Sequence, residues 1–254
     1  MRFLLAILLL LIAVPAMAQT QGLSRALVVS SCGGGALPNG AMTNLTMDTT
    51  GKLCLGGTFG IVSTWSAADV AAQPPLTLSN GGLTVSSTGS GWRTVRNTTS
   101  KTSGKLYIEI SIDSTDFWSG QMFGFANASF DVSPINTYLG SANYSVGLQT
   151  QSGGFGSSGF TVNYSGLPNG EVGSTWGLAI DFAAGKIWIA FRGTWVNSSD
   201  PAAGTLPIVS FVPATVGALY AAASTSSIQV LTIHSIAASQ MYAAPSGFKA
   251  WDAP

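Results

Sequence analysis

From Lys105 to Asp113 the chain alternates without a break: Leu106, Ile108, Ile110 and Ile112 fall on one side, Tyr107, Glu109, Ser111 and Asp113 on the other. A period of two marks a half-buried strand, with the polar side toward solvent. Residues 177–182 and 186–191 are two apolar runs separated by Ala183, Ala184 and Gly185, and they predict a hairpin. A second hairpin is predicted where Leu76-Thr77-Leu78 and Leu83-Thr84-Val85 flank Asn80-Gly81-Gly82, because Asn-Gly tolerates the positive φ of a tight turn. Further strands are expected at 121–126, 144–149, 159–163, 218–223 and 228–233. No stretch after residue 75 shows a helical period and no internal repeat is visible. Many short strands between Gly, Asn and Ser turns predict an all-β sandwich or barrel.

The beginning of the chain follows a different rule. Met1-Arg2 precedes the unbroken apolar run 3–14, which Pro15 ends, and Ala16-Met17-Ala18 is a small-x-small cleavage pattern. This predicts a signal peptide over 1–18 and a mature start at Gln19. The run falls short of the roughly 20 apolar residues that span a bilayer, so a retained anchor is the weaker reading. The expected location is secreted or periplasmic, with no membrane span after cleavage.

Residues 19–75 read as a small β-rich unit, with strand-like pieces at 26–30, 42–48 and 52–55. Ser66-Ala67-Ala68-Asp69 is a cap for a short helix that ends before Pro74-Pro75, and that double proline is the expected boundary with a larger domain over 76–254. Cys32 and Cys54 are the only cysteines. An oxidising compartment favours their pairing as a structural disulfide, worth about 3 kcal/mol by loop closure. Two buried free thiols or a redox pair are the alternatives, and their spacing is far from Cys-x-x-Cys.

Composition narrows the chemistry. Of 254 residues only 8% are charged, and ten basic side chains cancel ten acidic ones. No long-range field draws the chain to nucleic acid or anionic lipid. Two cysteines and one histidine are too few for a Cys/His zinc site, so neither a metal nor another cofactor is expected. Residues 154–159 match G-x-G-x-x-G, but Phe160-Thr161-Val162-Asn163 continues as a strand where dinucleotide binding needs a helix N-terminus. His234 is the only imidazole, and no G-x-S-x-G elbow offers it a serine. Glu109 and Asp113 share one strand face, as a glycosidase would require. Laminarinase-like sandwiches carry E-x-D-x-x-E there, whereas this chain has Ser111 and Ser114 at the second and third places. Solvent-facing strand charge is the plainer reading, and no catalytic residue is assigned.

The aromatic residues are the remaining candidates. Trp92, Trp176 and Trp188 are expected in or against the core. Asp116, Phe117 and Trp118 follow a strand, Tyr138 sits in a loop, and Arg192 and Trp195 follow the 177–191 hairpin. These six are the candidate ligand-binding residues, because rigid aromatic faces stack on sugar rings or anchor protein interfaces.

Three stretches share a pattern with a known family: Gly104-Lys105-Leu106-Tyr107-Ile108-Glu109-Ile110, Phe123-Gly124-Phe125-Ala126, and the run from Trp176 to Phe191. Over residues 76–252 the chain resembles the SPRY (B30.2-like) domain, most specifically at the hairpin 181–191. Asp200-Pro201-Ala202-Ala203-Gly204 and Pro245-Ser246-Gly247-Phe248-Lys249-Ala250-Trp251 look similar to bacterial and phage-associated members. Arg192 replaces the usual asparagine and Ala221 the usual proline. The resemblance implies a two-sheet, concanavalin A-like antiparallel β-sandwich, preceded here by the small Cys32/Cys54 unit. It also implies partner binding through loops at one rim, without catalysis. Three functions therefore compete. The first is a secreted module recognising a protein or a glycan. The second is a structural or appendage subunit of a cell envelope or phage-like particle, and the third a sandwich glycosidase.

Overall fold

The computed structural model describes residues 44–47, 53–56, 62–115, 120–150, 152–164 and 166–253. The chain forms two compact units, Met1–Phe59 and Gly60–Pro254. In the first, β1 (Asn44–Met47) and β2 (Leu53–Gly56) pair antiparallel, matching two of the expected pieces. The leader, the piece at 26–30 and the Cys32–Cys54 bridge lie outside the described residues.

The second unit opens with α1 (Ala67–Ala72), whose first turn is capped as expected: the Ser66 hydroxyl accepts the Asp69 N–H at 3.1 Å. The double proline lies inside this unit. Trp65, which precedes it, is 1% exposed and belongs to the same core as the sandwich strands.

The strands are β3 (Thr77–Ser79), β4 (Thr84–Ser87), β5 (Arg93–Arg96), β6 (Lys105–Thr115), β7 (Gln121–Asn127), β8 (Ser145–Gln149), β9 (Gly154–Ser158) and β10 (Phe160–Val162). After them come β11 (Thr175–Asp181), β12 (Lys186–Phe191), β13 (Thr194–Trp195), β14 (Val209–Phe211), a one-turn helix α2 (Pro213–Val216), β15 (Leu219–Thr225), β16 (Gln229–His234) and β17 (Lys249–Ala250). One sheet has the order β10-β14-β12-β11-β6-β16-β4-β3, with β13 added to β12 and β17 to β6. The other has the order β5-β15-β7-β8-β9. Every described pairing in them is antiparallel except β17 with β6. The fold is an all-β, two-sheet sandwich.

Both predicted hairpins form. β3 and β4 pair through Leu78 opposite Val85, and the turn between them places Asn80, Gly81 and Gly82 at φ 50°, 65° and 88°. β11 and β12 pair from Trp176 opposite Phe191 to Asp181 opposite Lys186. The G-x-G-x-x-G run is β9 and the turn after it, so no helix stands behind those glycines.

One core lies between the sheets. Ile108, Ile110 and Ile112 of β6 and Leu178 and Ile180 of β11 meet Phe123 and Phe125 of β7 and Ala221 and Ala223 of β15. Each large apolar side chain taken from water here contributes about 1.5–3 kcal/mol.

The other face of β6 departs from expectation. Tyr107 and Glu109 are 1% and 0% exposed, not solvent-facing. Tyr107, Ala179, Trp188 and Phe248 form a second apolar cluster there, and the backbone of Met241 and Tyr242 binds Glu109. Period two sorts side chains between two faces but does not say what covers each. The C-terminal segment covers this one as far as Glu109, leaving Ser111 half-buried and Asp113 exposed.

Candidate functional site

The groove is built at the exit of β12. After Phe191 the backbone turns through Arg192 at φ 49° and Gly193 at φ 77°, and β13 folds back so that Trp195 lies opposite Ala190. A left-handed Arg192 costs on the order of 1–2 kcal/mol, which the surrounding packing must offset. Gly193 suits the turn at this φ, and a Cβ there would force the Tyr242 ring to shift. Trp195 is set edge-on to Tyr107, ring centres 6.0 Å apart, which anchors it to the outer-face cluster.

Facing this turn is the segment that carries Tyr164, Gly166 and Pro168. Together they enclose a groove of about 370 Å³, with Phe191, Trp195 and Asn197 also in its walls. That volume is at the lower end of the ~300–1,000 Å³ of small-ligand sites. The Arg192 guanidinium lies 5.2 Å from the centre of the Phe191 ring, and its Nη2 donates to Glu171 Oε2 at 2.8 Å. Both side chains of that ion pair are about half or more exposed, at 49% and 66%. An exposed pair contributes less than ~1 kcal/mol to stability, so both groups are free to exchange water or each other for a ligand.

A second polar cluster lies on the outer face of β6 and β16. Glu109 is a clamp: it accepts the Tyr107 hydroxyl at 2.7 Å and the N–H groups of Met241 and Tyr242 at 2.7 and 3.0 Å. Burial, then the hydrogen bond to Glu109 and its charge, push the Tyr107 phenol well above its ordinary value. Beside it His234 Nε2 is 3.1 Å from Ser111 Oγ, and Ser111 donates to Asp113 Oδ1 at 2.8 Å. Thr232 donates to the other Asp113 oxygen. Burial lowers the His234 pKa below its ordinary value of 6.5. A serine, a histidine and an aspartate thus meet, but the carboxylate sits on the serine and not on the imidazole. Asp113 accepts from the Ser111 hydroxyl, so the carboxylate does not orient the imidazole as a nucleophile-activating triad requires.

No protein-family model matches the chain, and no curated protein matches it. Solved structures do. The SPRY domain of human HERC1 is 15% identical, with a TM-score of 0.47, over 65% of this chain and 95% of that one. A human SPRY domain is 16% identical, with a TM-score of 0.43, over 63% and 94%. The TRIM65 PSpry domain is 16% identical, with a TM-score of 0.45, over 68% and 91%.

Of the six aromatic-loop candidates, the structure brings Arg192 and Trp195 together in the groove. Tyr138 is not among the groove's lining residues; it packs against Trp92 with ring centres 5.4 Å apart. Asp116, Phe117 and Trp118 lie outside the described residues. Sequence reasoning missed Tyr164, Phe191 and Glu171. Phe191 reads as one more strand residue, and nothing local ties Glu171 to an arginine 21 positions away. Tyr164 has a signal, an aromatic two residues after a short strand.

Proposed function

We propose that the protein is an exported, non-catalytic binding module that holds a segment of a protein or a glycan in the groove beside Arg192 and Trp195. The observation that carries this reading is the convergence of Trp195, Phe191 and Tyr164 on one concave site with an exposed Arg192–Glu171 pair at its edge. Aromatic walls with a few convergent polar groups are the usual make-up of a recognition site. Export rests on the leader pattern at 1–18. The placement of Asp113 on Ser111, and not on the His234 ring, supports the non-catalytic part.

The test is a screen of the full chain against arrayed glycans and arrayed peptides, beside a Trp195→Ala, Arg192→Ala double variant of unchanged thermal midpoint. Loss of a ligand in the double variant supports the reading. Ligands retained in full by the double variant, or none in either array, would refute it. N-terminal sequencing of protein secreted by a host reports separately on cleavage before Gln19.

A further inference from the structure

Resting on the binding-module reading, we infer that the groove recognises an uncharged sugar ring of a glycan, and not a peptide. Three observations point there. First, charge: Arg192, the charged side chain in the groove wall, is matched by Glu171 at 2.8 Å. An anionic ligand at the guanidinium meets the like charge of Glu171, and a cationic one at the carboxylate meets that of Arg192. A neutral ligand uses both, its hydroxyls accepting from the guanidinium and donating to the carboxylate. Second, the walls hold aromatic rings: Trp195, which also packs on the outer-face cluster, and Phe191 and Tyr164, which also pack against the inter-sheet core. A pyranose has an apolar C–H face that packs on such a ring while its rim of hydroxyls stays with the polar edge. Trp195 is already fixed by Tyr107, so little is lost in ordering it.

Third, the backbone offers a peptide little. Strand addition needs an unpaired edge. β12 has β11 on one side and β13 and β14 on the other. β13 spans only Thr194–Trp195, and β10, the edge strand that leads to Tyr164, only Phe160–Val162, so neither offers more than a short ladder. A peptide would have to bind mainly through side chains, in a groove with no unpaired charge in its described walls.

The experiment uses the full chain on an array of neutral, sialylated and sulfated glycans, with a peptide array in parallel, and titrates the best hit into four variants. Neutral glycans are expected to bind. Trp195→Ala should weaken the hit at least ~30-fold, the scale of a hot-spot aromatic. Trp195→Phe keeps a ring and should retain affinity within about fivefold. Arg192→Lys and Glu171→Gln alter only exposed groups and should each cost about tenfold, so the result does not depend on the tryptophan variant folding. High salt should change the affinity by no more than about twofold, since the ligand carries no charge. Binding confined to acidic glycans overturns the inference. Peptides that need Trp195, without glycan hits, overturn it too but leave the binding groove standing. A neutral glycan indifferent to all four variants, or no groove-dependent ligand at all, overturns both readings.

Discussion

The carboxylate of Glu109, fully buried on the outer face of β6, accepts the backbone N–H of Met241 at 2.7 Å, and its other oxygen accepts that of Tyr242 at 3.0 Å. A single strand residue thereby holds the segment that leads to Phe248 and β17. Replacing it with glutamine keeps the shape but presents an amide N–H₂ to one of two backbone donors. Hydrogen bonds to a charged group contribute about 1.5–3 kcal/mol, so Glu109→Gln should lower unfolding free energy by about 2 kcal/mol in urea titration. Proteolysis of the 237–248 segment should rise in parallel. A loss under ~0.5 kcal/mol, the range of ordinary surface substitutions, would show that the apolar cluster alone holds the segment down.

Gly193 separates two effects that glycine substitutions usually mix. At φ 77° an alanine is strained, and its Cβ would also strike the Tyr242 ring. Gly204 has a similar φ of 71° with nothing near its Cβ position. Gly204→Ala should therefore cost only the backbone part, about 1 kcal/mol, and Gly193→Ala at least ~1 kcal/mol more. Equal losses by thermal or chemical unfolding would mean that Tyr242 moves aside freely.

The sandwich was legible in the sequence because its signals are local. Alternation along β6, Asn80-Gly81 between β3 and β4, and the paired apolar runs of β11 and β12 each report on their own neighbourhood. What covers a sheet face is not local. Glu109 reads as solvent-facing charge until a segment more than a hundred residues later is placed over it. The groove divides the same way. Arg192 and Trp195 stand out as residues after a hairpin, but Glu171 and Tyr164 join them only through the chain's path between β10 and β11.

His234 gives stability a pH dependence of known sign. Burial lowers its folded pKa below the 6.5 of an exposed imidazole, against an opposing pull from Glu109, Asp113 and the Ser239 backbone. Above pH 6.5 both states are largely neutral at this site and it contributes no slope. As pH falls below that value the unfolded chain takes up the proton first, so stability drops until the folded pKa is passed. His234→Gln removes the titration and should flatten the thermal midpoint between about pH 6.5 and 5, above the range where most carboxylates protonate. An unchanged profile would assign the slope elsewhere.

Two ion pairs of the same chemistry differ in burial, and burial should decide their worth. Arg96 holds Asp69 through Nε and Nη2, both at 2.9 Å, with side chains 17% and 6% exposed. Asp69 also accepts the Arg96 backbone N–H at 3.0 Å, tying α1 to β5. Arg192 and Glu171 meet at 2.8 Å, but with side chains 49% and 66% exposed. Asp69→Asn leaves a largely buried guanidinium without its counter-charge and should cost about 2–3 kcal/mol, somewhat below the loss from a fully buried pair. Glu171→Gln strands nothing from solvent and should cost less than ~0.5 kcal/mol. Urea titrations of both variants at low and high salt are the check, with the Asp69 loss nearly independent of salt. If both variants lose the same amount, burial is not what sets the strength of these pairs. Glu171 would then hold the groove in shape as a structural element, and would not stand as a polar edge left free for a ligand.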